Sequence, residues 1–190
     1  QLHALLFHSF SSYKENMDNF KALNDLKAKG KIKFIGVSVY TNEEIEAVLL
    51  NDDVDIIQLP FNLFDNSNLR GETLENVKSK GKIIHTRSAL LQGLFFKGIN
   101  SENKPVRNLK HEMSQLSNIS KTSGVPIAQL ALNYCLQQHT IDNVLIGVDS
   151  INQLIDNIKT VNYSLKQKTI DSINTIKVKN LDLLNPSLWK

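Results

Sequence analysis

The sequence has one cysteine, Cys135, so it holds neither a disulfide framework nor a thiolate zinc site. That usage fits a reducing compartment, the cytoplasm. Long hydrophobic runs are missing as well. Val144 to Val148, and Ala89 to Phe96 with Gln92 inside it, fall far short of the roughly 20 residues a spanning helix needs, so no membrane segment is expected. Charge of one sign is never concentrated: 22 basic and 19 acidic residues leave a net +3 with no Lys/Arg block, which argues against nucleic-acid and membrane-surface partners. There is no GxGxxG and no GxxxxGK[ST], which argues against a doubly wound dinucleotide domain and a P-loop enzyme. The five histidines lack HExxH or any comparable ligand spacing, so no metal site is expected, and no GxSxG elbow supports serine hydrolysis. The first residues, Gln1 to Phe7, carry neither a Met nor the basic flank and cleavage site of a signal peptide, and read as the interior of a longer protein.

What is present is a chain with 41% apolar and 22% charged residues, long enough at 190 residues to bury a core. Five short β-branched or apolar runs recur: Leu2 to Phe7, Lys33 to Val39, Asp55 to Leu59, Lys82 to Thr86 and Asn143 to Val148. Helical spacing fills the gaps, and this βα alternation is the signature of a parallel α/β sheet. The first connecting helix places Met17, Phe20, Leu23 and Leu26 on one stripe and stops at Gly30. Thr41 to Glu44 reads as a capping box opening a helix that buries Ile45, Val48 and Leu49. A third helix runs from about Leu69 to Lys80 and stops at Gly81. Ser101 to Arg107 reads as a loop before a helix bearing Met113, Leu116 and Ile119. Pro126 suits a first turn whose helix turns Ile127, Leu130, Ala131, Tyr134 and Cys135 inward. Ser150 to Gln153 reads as a second capping box, with Ile151, Leu154, Ile155 and Ile158 inward. A last amphipathic piece spans Thr169 to Ile176, and no linker is visible, so a single domain or part of one is expected.

Parallel α/β folds build their sites at the carboxyl ends of the strands. The polar residues there are His8 and Ser9, Ser38, Gln58 with Asn62, Arg87 with Ser88, and the segment from Gly147 to Asn157. In this setting the chain resembles the aldo-keto reductase family over nearly its whole length. Leu5-Leu6-Phe7-His8 is similar to the family's fourth barrel strand with its active-site histidine. Gly30 to Ser38 is similar to its GKIRxIGVS stretch, Ile57 to Asn62 to its xQxxYN, and Ser88 to Gly93 to its SPLxxG. Ile127 to Leu132, Val144 to Val148 and Gln153 to Asn157 resemble the last third of that fold.

The resemblance implies a partial (β/α)8 barrel, strands four to eight, with residues 1–190 forming the C-terminal portion of one barrel domain. It implies reduction of an aldehyde, ketone or sugar carbonyl by a nicotinamide coenzyme, NADP by family habit with NAD as the alternative. Of the family's Asp, Tyr, Lys and His, only the histidine, His8, has a counterpart here, and it would orient the substrate carbonyl. Ser38 and Gln58 would hold the nicotinamide carboxamide, although Val39 stands where the family has Asn. Arg87 would lie against the nicotinamide ring, and Ser88, Leu90 and Gly93 would line the pyrophosphate. Gly147, Gln153 and Asn157 match positions at the adenosine end, where no Lys or Arg lies between Gly147 and Lys159.

Plain structural roles compete with each of these. His8 could be a core histidine, Ser38 a turn residue, Gln58 a rim glutamine, Arg87 a salt-bridge partner at the barrel mouth and Gln153 a helix cap. Tyr40 reads as packing. A catalytically inactive half-barrel that buries its open edges against another chain is the competing function, and oligomeric state is open. The segments Leu94 to Lys110 and Leu183 to Trp189 are candidate walls for a substrate that the resemblance links only loosely to bacterial sugar metabolism.

Overall fold

A computed structural model describes residues 1–189. Five parallel strands, β1 (Leu2–Phe7), β2 (Ile32–Ser38), β3 (Ile56–Pro60), β4 (Ile83–Arg87) and β5 (Asn143–Val144), form one sheet in the order β1-β2-β3-β4-β5. Each strand neighbours the next in sequence, with helices in the crossovers, which is the winding of a (β/α) barrel rather than of a doubly wound sheet. The crossovers hold α1 (Phe10–Glu15), α2 (Phe20–Ala28), α3 (Asn42–Val48), α4 (Ser67–Ser79), α5 (Lys104–Asn108), α6 (Lys110–Ser123) and α7 (Ile127–Leu136). After β5 come α8 (Ile151–Thr160) and α9 (Gln167–Asn174).

Strand alternation sorts the sheet into two faces. Ile35, Val37, Ile57, Leu59 and Ile84 point toward the helices and join a core with Ile45, Val48, Leu74, Val77, Leu130 and Tyr134. Each such burial contributes about 1.5–3 kcal/mol. The opposite face is built in rows set by the register. Leu6, Gly36, Ile56 and Ile83 are aligned, then Ser38, Gln58, His85 and Asn143, then Pro60 and Arg87. Gly36 is required in its row, because a Cβ there would stand 2.7 Å from Leu6 Cγ and 2.9 Å from Ile56 Cβ.

Two strand pairs, β2 with β3 and β4 with β5, close their lower ends with the same device. Asp55, just before β3, accepts from the Ile35 N–H and pairs with Lys27 of α2 at 2.6 Å. Asp142, just before β5, accepts from the Ile84 N–H and pairs with Lys78 of α4 at 2.8 Å. Each carboxylate ties the start of one strand to the strand beside it and to the helix that leads into that neighbour.

The helix signals operate as expected in several places. Thr41 Oγ1 accepts from the Glu44 N–H while Glu44 Oε2 accepts from the Thr41 and Tyr40 N–H groups, a complete capping box. Ile45, Val48 and Leu49 are buried, and Gly30 and Gly81 take the left-handed conformation that stops their helices. Other expectations need correction. The first connecting helix is broken by a 3-10 turn at Met17–Asn19, so Met17 and Leu26 are exposed while Phe20 is buried. Lys104–Asn108, expected in a loop, is helical, started by the Asn103 side chain and Pro105. Pro126 is the N-cap of α7, one residue ahead of the first turn. Strand β5 has two residues instead of six, since its partner β4 offers pairing only at His85 and Thr86.

The largest departure is α8. Ile151, Leu154, Ile155 and Ile158 lie on one side as spaced, but they are exposed, at 77%, 43%, 43% and 60%. An apolar stripe buries itself only if another element lies opposite it, and none of the described residues does. The same holds at the other edge, where Leu2 and Leu5 of β1 are exposed and β1 has a strand neighbour on one side only.

Candidate coenzyme and carbonyl site

The carboxyl ends of the strands carry the candidate residues. His8 follows β1 directly and is exposed, one residue beyond the aligned pair Phe7 and Val37. Ser38 and Gln58 are register partners in the same row, so their side chains leave the sheet together. That row also holds His85, which sequence reasoning passed over because it sits inside an apolar strand. Burial holds the His85 imidazole below its usual pKa, with Asp142 opposing and His3 adding to the shift. Val39, in the place of the family's Asn, points into the helix-side core, its N–H bonded to the Gln58 carbonyl.

Arg87 ends β4 and lies over the Tyr40 ring, Cζ 4.2 Å from its centroid, while Nη2 donates to the Val39 carbonyl at 3.2 Å. Among the described residues it forms no ion pair, so the salt bridge considered from sequence is replaced by a cation–π contact. Tyr40 therefore supports a candidate site residue, a contact that no local sequence signal announces.

Immediately past Arg87 the backbone makes an unusual turn. Ser88, Leu91 and Gln92 have positive φ without being glycine, and Gly93 follows at φ 74°. Left-handed non-glycine residues are costly and persist where the surroundings hold them. Here Leu91 and Leu94 are fully buried and anchor the turn, leaving Ser88, Gln92 and Gly93 to line a cleft.

That cleft has a volume of about 580 Å³, within the range of small-molecule sites. It brings together six of the nine expected coenzyme residues: Ser88, Leu90, Gly93, Gly147, Gln153 and Asn157. Leu145, Ile146, Phe96, Ala128, Asp149 and Asp156 complete most of its wall. Ser38, Gln58 and Arg87 stand outside it, on the strands. Gln153 takes part in the start of α8 and also lies on the cleft wall. Its N–H donates to Ser150 Oγ and its Oε1 accepts from the Asp149 N–H, one residue earlier than a reciprocal capping box requires, while the residue also lines the cleft. A nicotinamide dinucleotide fits these surroundings: residues of the left-handed turn line the cleft, a ten-residue helix begins at its edge, and a Cβ at Gly147 would touch nothing within 4 Å.

A smaller hollow of about 240 Å³ lies between Tyr40, Pro60, Arg70 and the tail residues Leu181, Leu184 and Leu188. Its floor is a buried ion pair. Arg70 Nε and Nη2 donate to Asp65 at 2.6 and 2.9 Å, and the same guanidinium donates to Asn42 Oδ1 and the Tyr40 carbonyl. Burial pushes the Asp65 carboxyl up and Arg70 counters it. The two stretches expected to form substrate walls do meet, since Lys104, Pro105 and Asn108 face Leu183, Leu188 and Trp189 across another hollow. Asn62 is a turn residue: its Oδ1 accepts from the Phe64 and Asp65 N–H groups. Tyr134 and Cys135 are structural. Burial raises the phenol to about 12 and raises the thiol further, so neither ionises near neutrality.

Fold and cleft together define part of a (β/α)8 barrel with an open cleft at the carboxyl ends of its strands. Residues 1–178 match the Aldo/keto reductase family, and the chain belongs to that family. It is 29% identical over 174 residues to an L-galactose dehydrogenase of Arabidopsis thaliana, covering 86% of this chain and 54% of the relative. It is 26% identical over 157 residues to an NADH-specific methylglyoxal reductase of Escherichia coli, covering 75% and 48%. Among solved structures, the holo form of an aldo-keto reductase from Bacillus halodurans superimposes with a TM-score of 0.77 at 20% identity, over 94% of this chain and 59% of that one. The chain spans about half the length of the curated relatives it matches.

Proposed function

We propose that these residues form the C-terminal portion of a single barrel domain in a nicotinamide-dependent oxidoreductase that reduces small carbonyl compounds, aldehydes, ketones or sugars, to alcohols. The observation that carries this is the cleft uniting Ser88, Leu90, Gly93, Gly147, Gln153 and Asn157 beside the strand ends that present Ser38 and Gln58. The bound dinucleotide would supply the hydride, NADP by family habit or NAD. Ser38 and Gln58 offer a hydroxyl and an amide from one row, able to donate and accept at a carboxamide and so to choose which ring face is presented. Arg87, held over the Tyr40 ring, would cover the same end of the site. His8 would donate a hydrogen bond to the carbonyl oxygen as negative charge develops there. The family's Asp, Tyr and Lys would stand on residues outside these 190.

Titration of the purified chain with NADH and NADPH, followed by nicotinamide fluorescence, tests the site. Saturable binding, weakened at least about tenfold when Gly93→Val strains the turn and fills the cleft, is expected. A chain that binds neither dinucleotide would sink the proposal.

A second reading is favoured by the exposed apolar edges, namely Leu2 and Leu5 on β1 and the Ile151, Leu154, Ile155 and Ile158 stripe on α8. In it the chain is a catalytically inactive half-barrel that assembles with another polypeptide through those edges. Sedimentation of the chain separates the two readings when combined with the titration: assembly without dinucleotide binding supports the second.

A further inference from the structure

The coenzyme cleft is walled from four directions: the turn from Ser88 to Gly93, Ala128 of α7, the chain from Leu145 to Gly147, and the start of α8 with the residues just before it. No lysine, arginine or histidine lines it, whereas two carboxylates do, Asp149 and Asp156. Asp156 shares its charge with Lys159, 3.5 Å away and one helical turn on, and Lys159 is not part of the wall. Lys97 follows the lining residue Phe96 and is likewise not part of the wall. Asp149 has no such compensation. Its N–H is taken by Gln153 Oε1, and its carboxylate makes no hydrogen bond or ion pair with the described residues.

The bridging phosphates of a dinucleotide can be met by backbone N–H groups at a turn or helix start, without side-chain cations. An additional phosphate on the adenosine ribose is different: it is a monoester carrying about two negative charges at neutral pH, and proteins meet it with Arg or Lys. In this cleft it would face carboxylates instead. A ribose with free hydroxyls, by contrast, can donate to a carboxylate, the arrangement that selects the unphosphorylated coenzyme in other dinucleotide folds. We infer that this site selects NAD(H) over NADP(H), against family habit, and that Asp149 is the main discriminating residue with Asp156 secondary to it. The inference rests on the coenzyme reading of the cleft. Because both carboxylates are solvent-exposed, the selection is electrostatic and weakens as salt screens it.

The test is equilibrium binding of NADH and NADPH to the 190-residue chain at low and high ionic strength, in the wild type and in Asp149→Lys and Asp149→Asn. NADH is expected to bind about tenfold more tightly than NADPH at low salt, with the ratio shrinking as salt is raised. Asp149→Lys should bring the ratio to unity or invert it, and Asp149→Asn should fall between. Equal or tighter NADPH binding by the wild type, or a ratio that Asp149→Lys leaves unchanged, overturns the selectivity while leaving the coenzyme site standing. Failure of both dinucleotides to bind overturns the site itself and this inference with it.

Discussion

Arg87 and Tyr40 join the ends of two strands that are not neighbours: the guanidinium from β4 lies 4.2 Å above the ring that follows β2, bridging across β3. The contact fixes a long, otherwise mobile side chain at the mouth of the site. Tyr40→Phe keeps the aromatic face and should leave dinucleotide affinity within about twofold, whereas Tyr40→Ala should weaken it by about threefold or more. Fluorescence titration of the two variants decides it; equal affinities would show that the stacking does not position Arg87.

The Asp65–Arg70 pair lies almost entirely out of water, with side chains 0% and 6% exposed. Removing either partner strands a buried charge, so Asp65→Ala and Arg70→Ala should each cost about 3–5 kcal/mol. Arg70→Ala also orphans Asn42 Oδ1 and the Tyr40 carbonyl. Urea unfolding at neutral pH measures both, and the double variant should lose clearly less than the sum.

His85 supplies a pH dependence with a definite sign. Its folded pKa is depressed by burial, so the unfolded chain binds the proton more readily. Its contribution to stability is fully present above the unfolded value of about 6.5 and is lost as pH falls through the depressed folded value. The urea midpoint should therefore drop below pH 6.5, and His85→Gln should flatten that part of the profile. An unchanged profile in the variant would assign the acid sensitivity elsewhere.

Gly36→Ala inserts a methyl group 2.7 Å from Leu6 Cγ and 2.9 Å from the Ile56 carbonyl oxygen. Because part of the clash is with backbone, a loss of about 1–3 kcal/mol is expected. Thermal unfolding reads it directly. Gly98→Ala, where nothing lies within 4 Å and φ is not positive, is the control.

Local patterns were sufficient wherever a feature depends on neighbours in the chain. The βα alternation, the Thr41–Glu44 capping box, the stops at Gly30 and Gly81 and the buried face of α7 all follow from spacing and backbone preference. The segments from Ser88 to Gly93 and from Gly147 to Asn157 are legible as candidate site residues because each is contiguous in the chain. Their meeting in one cleft, 54 to 69 residues apart in sequence, is a product of the parallel sheet bringing the ends of β4 and β5 together.

The remaining features depend on what lies across space. An imidazole inside an apolar strand gives no sign that it shares a row with Ser38 and Gln58, because register is a relation between strands. Tyr40 looks like packing until Arg87 is placed above it. The α8 stripe has the right period for burial, yet period specifies only which residues share a side; burial requires a surface opposite, and no described element provides one. For the coenzyme, the absence of Lys and Arg from Gly147 to Asn157 was visible in the one-dimensional text, but the fact that the other walls of the cleft also lack a cation emerged only from the folded arrangement. Charge acts through distance, and distance belongs to the fold.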